Sequence, residues 1–218
     1  MFLAVVLAAS AATSKPTATP APRAQLKTIV NIRSTPFCNS IAQHFNAAVV
    51  PMLANDRDLD QVDTQLTNFT DVFHHADYQI RYSDTRVALI KYVSQISKSL
   101  PQIQAEINQL REGERLTTDK AEAAQLHQVA EKLQLAYNKQ HQLTIDLGGV
   151  IQAMMDYHPP NDLDTFQEEM NEQQMPAEMR SVKSWLRFDG QRDVLGQAEN
   201  AAADQAIDLV TNHCTSQK

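Results

Sequence analysis

The pattern nearest to a metal site in this chain consists of Asp71, His74, His75 and Tyr78. These residues stand at positions i, i+3, i+4 and i+7, so a helix would place all of them on one face. A carboxylate and imidazoles on one helix face can bind a transition metal in a helical bundle. A ferritin-like site, however, needs Glu-x-x-His pairs on two helices, and no other acid here precedes a histidine by three residues. The sequence therefore predicts a solvated His74/His75 face without a metal.

The remaining polar residues form no sequence pattern that predicts a metal site or a catalytic site. His127 and His141 share one flank of a predicted helix, at the edge of its apolar pattern, and we expect both to be exposed. They could complete a bridging metal site only if that helix were rotated. No serine lies in a G-x-S-x-G context or another recognisable nucleophile motif. We therefore predict no catalytic, cofactor-binding or metal-binding residue.

A cluster of methionines near the C-terminal third has two interpretations. Methionine side chains are flexible and either fill an irregular core or line an adaptable binding groove. The core interpretation is the commoner one for such clusters. The cluster consists of Met154, Met155, Met170, Met175 and Met179.

The composition excludes several classes of protein. The chain of 218 residues has only 5 glycines against 9 prolines, and neither a dinucleotide-binding nor a P-loop glycine motif occurs. A β-sandwich or barrel would need more glycine-bearing turns. The net charge of −7 argues against a nucleic-acid partner, which needs a basic surface.

Apolar residues recur at steps of three and four along most of the chain, which predicts helices. We expect helices at about 36–54, 56–112, 118–157, 161–174 and 176–214. A change of phase predicts a bend or break near 81–86, with Ile80 still inside the apolar pattern. Asn55-Asp56 is expected to end the first helix, and Asp189-Gly190 and Gly196 to break the last near 190–196.

The third predicted helix has the most regular pattern, with Gln140 as its single polar member. Gly148-Gly149 interrupts it, as a hinge or as a point where a neighbouring helix comes close. Long patterns of this kind are typical of coiled coils. The predicted fold class is all-α, an elongated helical bundle with a long coiled-coil-like antiparallel hairpin between the second and third helices.

The first residues indicate export. Residues 1–12 form an apolar run that ends in small residues, as a signal peptide does, and the run is too short for a membrane span. It lacks the basic start of a typical signal peptide, which leaves open whether the true start lies upstream of Met1. Residues 13–25 read as a disordered Pro/Thr-rich tether, and residues 26–218 as one helical domain. Residues 26–32 are either a short strand or a lead-in that packs on the first helix.

The two cysteines, Cys38 and Cys214, lie near opposite ends of the mature chain. An even count in an exported protein favours a disulfide. The alternative is two free buried thiols. The second predicted helix is far longer than the first, so the disulfide can form only if the final segment folds back toward Cys38.

These features predict a secreted or periplasmic, non-enzymatic helical protein that acts as an interaction or scaffold module. A protein partner or self-association is expected, with no cofactor, no nucleic acid and no stable membrane span after signal cleavage. The alternative is a ligand- or metal-binding bundle that uses the Met-rich end or the His74/His75 face. An enzyme ranks last, because nothing supplies a nucleophile, a base and an orienting group together.

Overall fold

A computed structural model describes residues 26–69, 71–171 and 173–215. Within them the chain forms helices and no strand, which confirms the all-α fold class. The elements follow one another as α1 (Pro36–Phe69), a 3₁₀ turn (Val72–His74), α2 (Tyr78–Leu116), α3 (Lys120–Asp156), α4 (Leu163–Glu169), α5 (Ala177–Trp185) and α6 (Asp189–His213). The predicted signal peptide and tether lie outside the described residues.

The first two helices divide at a different place from the one expected. The predicted end at Asn55-Asp56 is wrong, because α1 continues to Phe69 and Asn55 is buried inside the bundle. The predicted break at 81–86 is also wrong, because the chain reverses before Tyr78 and α2 runs unbroken through those residues. Tyr78 and Tyr82 face the core, whereas Ile80 is 65% exposed. The phase change thus marks a reversal between antiparallel helices rather than a bend in one helix.

The long antiparallel hairpin is confirmed, although it belongs to a larger unit. α1, α2 and α3 pack side by side, each antiparallel to the next, and α6 packs along α3. Residues 117–119 join α2 to α3, and Asp119 caps α3 by accepting hydrogen bonds from the backbone N–H of Ala121 at 2.7 Å and of Glu122 at 3.0 Å. A capped start of this kind satisfies two of the unpaired N–H groups at a helix terminus.

The C-terminal third differs from the prediction in two helix boundaries. α4 covers Leu163–Glu169 rather than 161–174, and the next helix begins at Ala177. The predicted break near 190–196 lies earlier, at residues 186–188, where buried Phe188 anchors the turn. α6 then runs through Gly190 and Gly196, because its Leu195 and alanine face is held against the core.

The apolar interior forms two clusters, one toward each end of the bundle. One cluster contains the ends of α1, α2 and α3 that meet α4 and α5, and it includes Phe69, Tyr82 and Phe166. The other lies at the opposite end, where Ile41 and Phe45 of α1 pack with α3 and the alanines of α6. Along every long helix the change from one cluster to the other occurs at the same level, near residues 55, 99, 140 and 199.

The start of α1 and the end of α6 meet beside the second cluster. The predicted disulfide is confirmed: Cys38 and Cys214 are bonded with their Cα atoms 5.6 Å apart. Residues 26–32 are a lead-in rather than a strand, with Leu26 buried and Ile29 hydrogen-bonded in both directions to the side chain of Asn46. No helix among the described residues is long and apolar enough to cross a membrane.

Candidate functional site

The His74/His75 face is not on a helix. Asp71, His74 and His75 are exposed in the turn that joins α1 to α2, and Tyr78 is buried at the start of α2. The helical spacing on which the metal-site hypothesis depended therefore does not exist there. Within the described ranges no group of three histidine, cysteine or acidic side chains lies close enough to hold a metal ion.

The two histidines of α3 are exposed, as expected. Nδ1 of His127 lies 3.1 Å from Oε2 of Glu114, across the α2–α3 connection. The ring of His141 lies 5.7 Å from that of Tyr137, one helical turn earlier. The structure therefore does not bring the two histidines of α3 together with His74 or His75.

Gln140, the polar member of the α3 pattern, takes part in a buried hydrogen-bond chain. Its Oε1 accepts a bond of 2.7 Å from Nδ2 of Asn55, and Oδ1 of Asn55 accepts one of 2.8 Å from the hydroxyl of Ser99. These bonds join α1, α2 and α3 at the level where the two apolar clusters divide. Burying an amide side chain without a hydrogen-bond partner would destabilise the fold. These hydrogen bonds therefore explain why Asn55 and Gln140 are tolerated in the interior.

An ionic group occupies the same level on the α6 side. Nη1 of Arg192 lies 3.2 Å from Oδ1 of Asp56, and Nη2 lies 3.1 Å from Oδ1 of Asp60. The side chains of Arg192 and Asp56 are only 10% and 16% exposed, so their ion pair is largely removed from water. We call Asn55, Asp56, Ser99, Gln140, Arg192 and Glu199 together the polar layer.

Glu199 is the acid of the polar layer that carries a proton. It is 1% exposed, and burial, followed by the nearby charge of Asp56, raises its pKa to about 9. Burial also raises the pKa of Asp56, although Arg192 opposes this change. Because Arg192 contacts Asp56, the negative charge resides on Asp56, and the protonated Glu199 carboxyl donates its hydrogen bond to it.

Of the polar layer, sequence reasoning singled out Gln140 alone, although a signal for Asn55 was also present. Asn55 lies between Met52 and Leu59 in the apolar register of α1, which places its side chain inside. The register was interrupted in the prediction because Asn-Asp is a common helix end. The partner Arg192 is 136 residues away from Asp56, and no local pattern connects the two.

The Met-rich end contains a groove of 220 Å³ beside the first apolar cluster. We call it the Met groove. Its lining consists of Phe69, Phe73, Met170, Met175, Met179, Lys183 and Leu186. The core interpretation holds for Met154, Met175 and Met179, which are buried, while Met155 is 48% exposed. Met175 and Met179 also line the groove together with Met170.

The outer face of α2 exposes large apolar side chains. Ile80, Val87 and Ile90 are 65%, 60% and 42% exposed, and their spacing places them on one face of the helix. We call these three residues the α2 outer face. Single exposed apolar residues are ordinary, whereas several on one face mark a surface that can bind a partner.

Comparison with known proteins gives no match: no family model, no curated protein and no solved structure is similar to this chain.

Proposed function

We propose that this chain is an exported, non-enzymatic helical protein of the periplasm or cell exterior that acts as an interaction module. The α2 outer face is its partner-binding surface. The observation that carries the proposal is the alignment of Ile80, Val87 and Ile90 on one exposed face of a 39-residue helix. A long rigid helix presents such side chains in a fixed geometry, which suits recognition of another protein surface.

The disulfide supports the exported location. Bonds of this kind form and persist in oxidising compartments and are rare where thiols are kept reduced. The bond between Cys38 and Cys214 is therefore consistent with a secreted or periplasmic protein. The apolar run at residues 1–12 supports the same proposal from the sequence.

The placement of the ionisable residues supports a non-enzymatic role. Asp56 and Asp60 are paired with Arg192, whose side chain is only 10% exposed. His74 and His75 lie on an exposed turn, where water surrounds them. Neither arrangement resembles a base and a nucleophile held at the wall of a cleft.

A capture experiment tests the α2 outer face. The mature chain is immobilised and exposed to the native envelope fraction, beside the variants Ile80→Asp and Val87→Asp. We expect a bound partner whose recovery falls at least about tenfold in both variants, since a charge in an apolar contact costs more than 1.4 kcal/mol. Ile207→Asp is the matched control, because Ile207 is 58% exposed on α6. Equal recovery with all variants, or no capture at all, would contradict the proposal.

Binding of a small apolar molecule in the Met groove is a second candidate function. The observation that favours it is a 220 Å³ groove lined by three methionines and two phenylalanines. Flexible thioether side chains adapt to a bound molecule better than branched ones. Of the two places considered for a ligand, only the Met-rich end offers such a surface, since the His74/His75 turn is solvated.

A further inference from the structure

We propose that two copies of this chain associate through the α2 outer face, with their α2 helices antiparallel about a twofold axis near Val87. The inference rests on the function proposed above and names a second copy of the chain as the partner that this face binds. It follows from the spacing of the exposed residues of α2 and from the order of the charges along one edge of the face.

The outward side of α2 repeats every seven residues, as the contact line of a coiled coil does. Alternating steps of three and four residues keep these positions on one face of the helix. In an antiparallel pair, Val87 of one copy lies against Ile90 of the other, and the twofold axis makes this apolar contact twice. The small serines beside them let the two helices approach closely. We call the six repeating positions the α2 seam: Ile80, Ser83, Val87, Ile90, Ser94 and Ser97.

One edge of the α2 seam carries charges whose sign reverses halfway along. These exposed residues also stand seven apart, in the order Asp77, Asp84, Lys91 and Lys98. In an antiparallel pair this edge lies against the same edge of the second copy, which runs in the opposite direction. Asp84 then faces Lys91 of the second copy, and Asp77 faces Lys98, so the edge is complementary to itself.

A parallel pair lacks this complementarity. There, the charged edge would lie against the other edge of the second helix, which carries Gln79, Arg86 and Val93. Arg86 would stand beside Lys91 of the second copy, where two cations repel each other. The order of the charges therefore favours the antiparallel arrangement over the parallel one.

Two of the four charges also interact within the chain. Oδ1 of Asp77 accepts a hydrogen bond of 2.7 Å from Nε of Arg81, although the Asp77 side chain remains 50% exposed. Nζ of Lys91 lies 5.1 Å from the centre of the Tyr92 ring. Burial raises the pKa of Asp58, and the charge of Lys91 opposes this rise. Exposed ion pairs contribute little each, so the charges set the orientation while the apolar members of the seam supply the contact.

Sedimentation velocity of the full chain at pH 7 and low salt tests the association, over concentrations from about 1 μM to 1 mM. We expect a monomer–dimer equilibrium in the wild type and a monomer in Val87→Asp. Asp84→Lys and Lys91→Asp should each weaken the dimer about tenfold, because two symmetry-related attractions become repulsions. Lys132→Asp is the matched control at an exposed lysine of α3, and it should leave the equilibrium unchanged.

A mixture of Asp84→Lys and Lys91→Asp tests the antiparallel register. The first variant has a lysine at both positions, and the second has an aspartate at both, so each repels its own copy. A mixed pair brings opposite charges together twice. The mixture should therefore form heterodimers with about the affinity of the wild type, which native mass spectrometry distinguishes by mass. A folding defect in either variant could not produce this recovery.

Three results would overturn the inference. Dimers that persist unchanged in Val87→Asp would use another surface, and a mixture no better than its two components would contradict the antiparallel register. A wild type that stays monomeric up to about 1 mM would also contradict it. In that case the capture experiment decides separately whether the α2 outer face binds a different protein.

Discussion

Glu199 keeps its proton because its carboxyl group lies in the interior beside a second acid. The two carboxyl groups of Glu199 and Asp56 share one proton and titrate as a pair. The folded chain therefore holds a proton that the unfolded chain releases at much lower pH. The stability of the protein is linked to pH through this proton, with a sign that can be worked out.

We predict that Glu199 makes the protein less stable as pH rises. The pKa of Glu199 is about 9 in the folded chain against 4.5 as its usual value, so between these values the folded state binds more protons. The free energy of unfolding then falls with pH, by at most about 1.4 kcal/mol per pH unit. Urea unfolding at pH 5, 7 and 9 measures this slope, and Glu199→Gln, whose amide still donates to Asp56, should reduce it.

Glu168→Gln is the control, because Glu168 is exposed on α4 and should leave the slope unchanged. A slope that is the same in the wild type and in Glu199→Gln would show that Glu199 does not hold the proton.

Replacement of Arg192 by leucine should destabilise the protein by about 3–5 kcal/mol at pH 7. The change leaves the Asp56 carboxylate buried without its cation, which is the costly way to break a buried ion pair. The loss should be smaller near pH 4, where Asp56 can take up a proton. Chemical unfolding at both pH values measures it, with Arg180→Leu on the exposed face of α5 as the control. An equal loss in Arg192→Leu and Arg180→Leu would contradict the role of Arg192.

Among the helices, α3 carries two glycines that its packing does not require. Gly148 and Gly149 lie inside the helix, and a Cβ atom added to either would meet no atom within 4 Å. Of the two alternatives for this glycine pair, the close approach of a neighbouring helix is therefore wrong among the described residues. Glycine in a helix interior is about 1 kcal/mol less favourable than alanine.

Gly148→Ala and Gly149→Ala should accordingly each stabilise the protein by about 0.5–1 kcal/mol, because the new methyl group meets no clash and the unfolded chain loses freedom. Thermal melts at fixed pH measure the change, and the double variant should show nearly the sum. A lower melting temperature in either variant would mean that the glycines serve a conformation that the alanines exclude.

The sequence predicted elements well where a single apolar face repeats over many turns. The extent of α3 was expected within two residues, because its side chains alternate regularly between core and solvent. The turn between α1 and α2 was misplaced, because a change of phase fits both a bend and a reversal. Only the assembled fold decides between them, through the packing of Tyr82 against α3 and α5 and the stacking of Tyr78 on Phe166 of α4.

The candidate sites likewise differ in how far the sequence alone could predict them. The methionines of the groove were singled out, since residue type alone indicates their adaptability. The ion pair of the polar layer was not, because it joins α1 to α6 across more than half of the chain. The sequence pattern alone gives Asp56 and Arg192 as two separate charges, and only the assembled helices bring them together.

For the whole molecule, the disulfide closes nearly the entire helical domain into one loop. Replacing Cys38 and Cys214 together by serine should destabilise the protein by at most about 5 kcal/mol, because the unfolded chain regains the entropy of a loop of 176 residues. The helical content should persist at low temperature, since the two apolar clusters remain.

Urea unfolding of the double-serine variant beside the oxidised wild type measures this loss. The same wild type in a reducing agent should follow the variant. Equal midpoints for the oxidised and reduced chains would show that the bond contributes nothing to stability.

The position of the bridge also determines how the molecule responds to mechanical force. A pull applied to the backbone before Cys38 and after Cys214 runs across a gap of 5.6 Å, through the sulfur atoms. The helices between them carry no tension, so the oxidised protein should extend without a rupture event of the domain. Reduction would place the 176-residue span under load and release a contour length of about 600 Å when it unravels. The bridge therefore protects the helices from tension that is applied to the two ends of the domain.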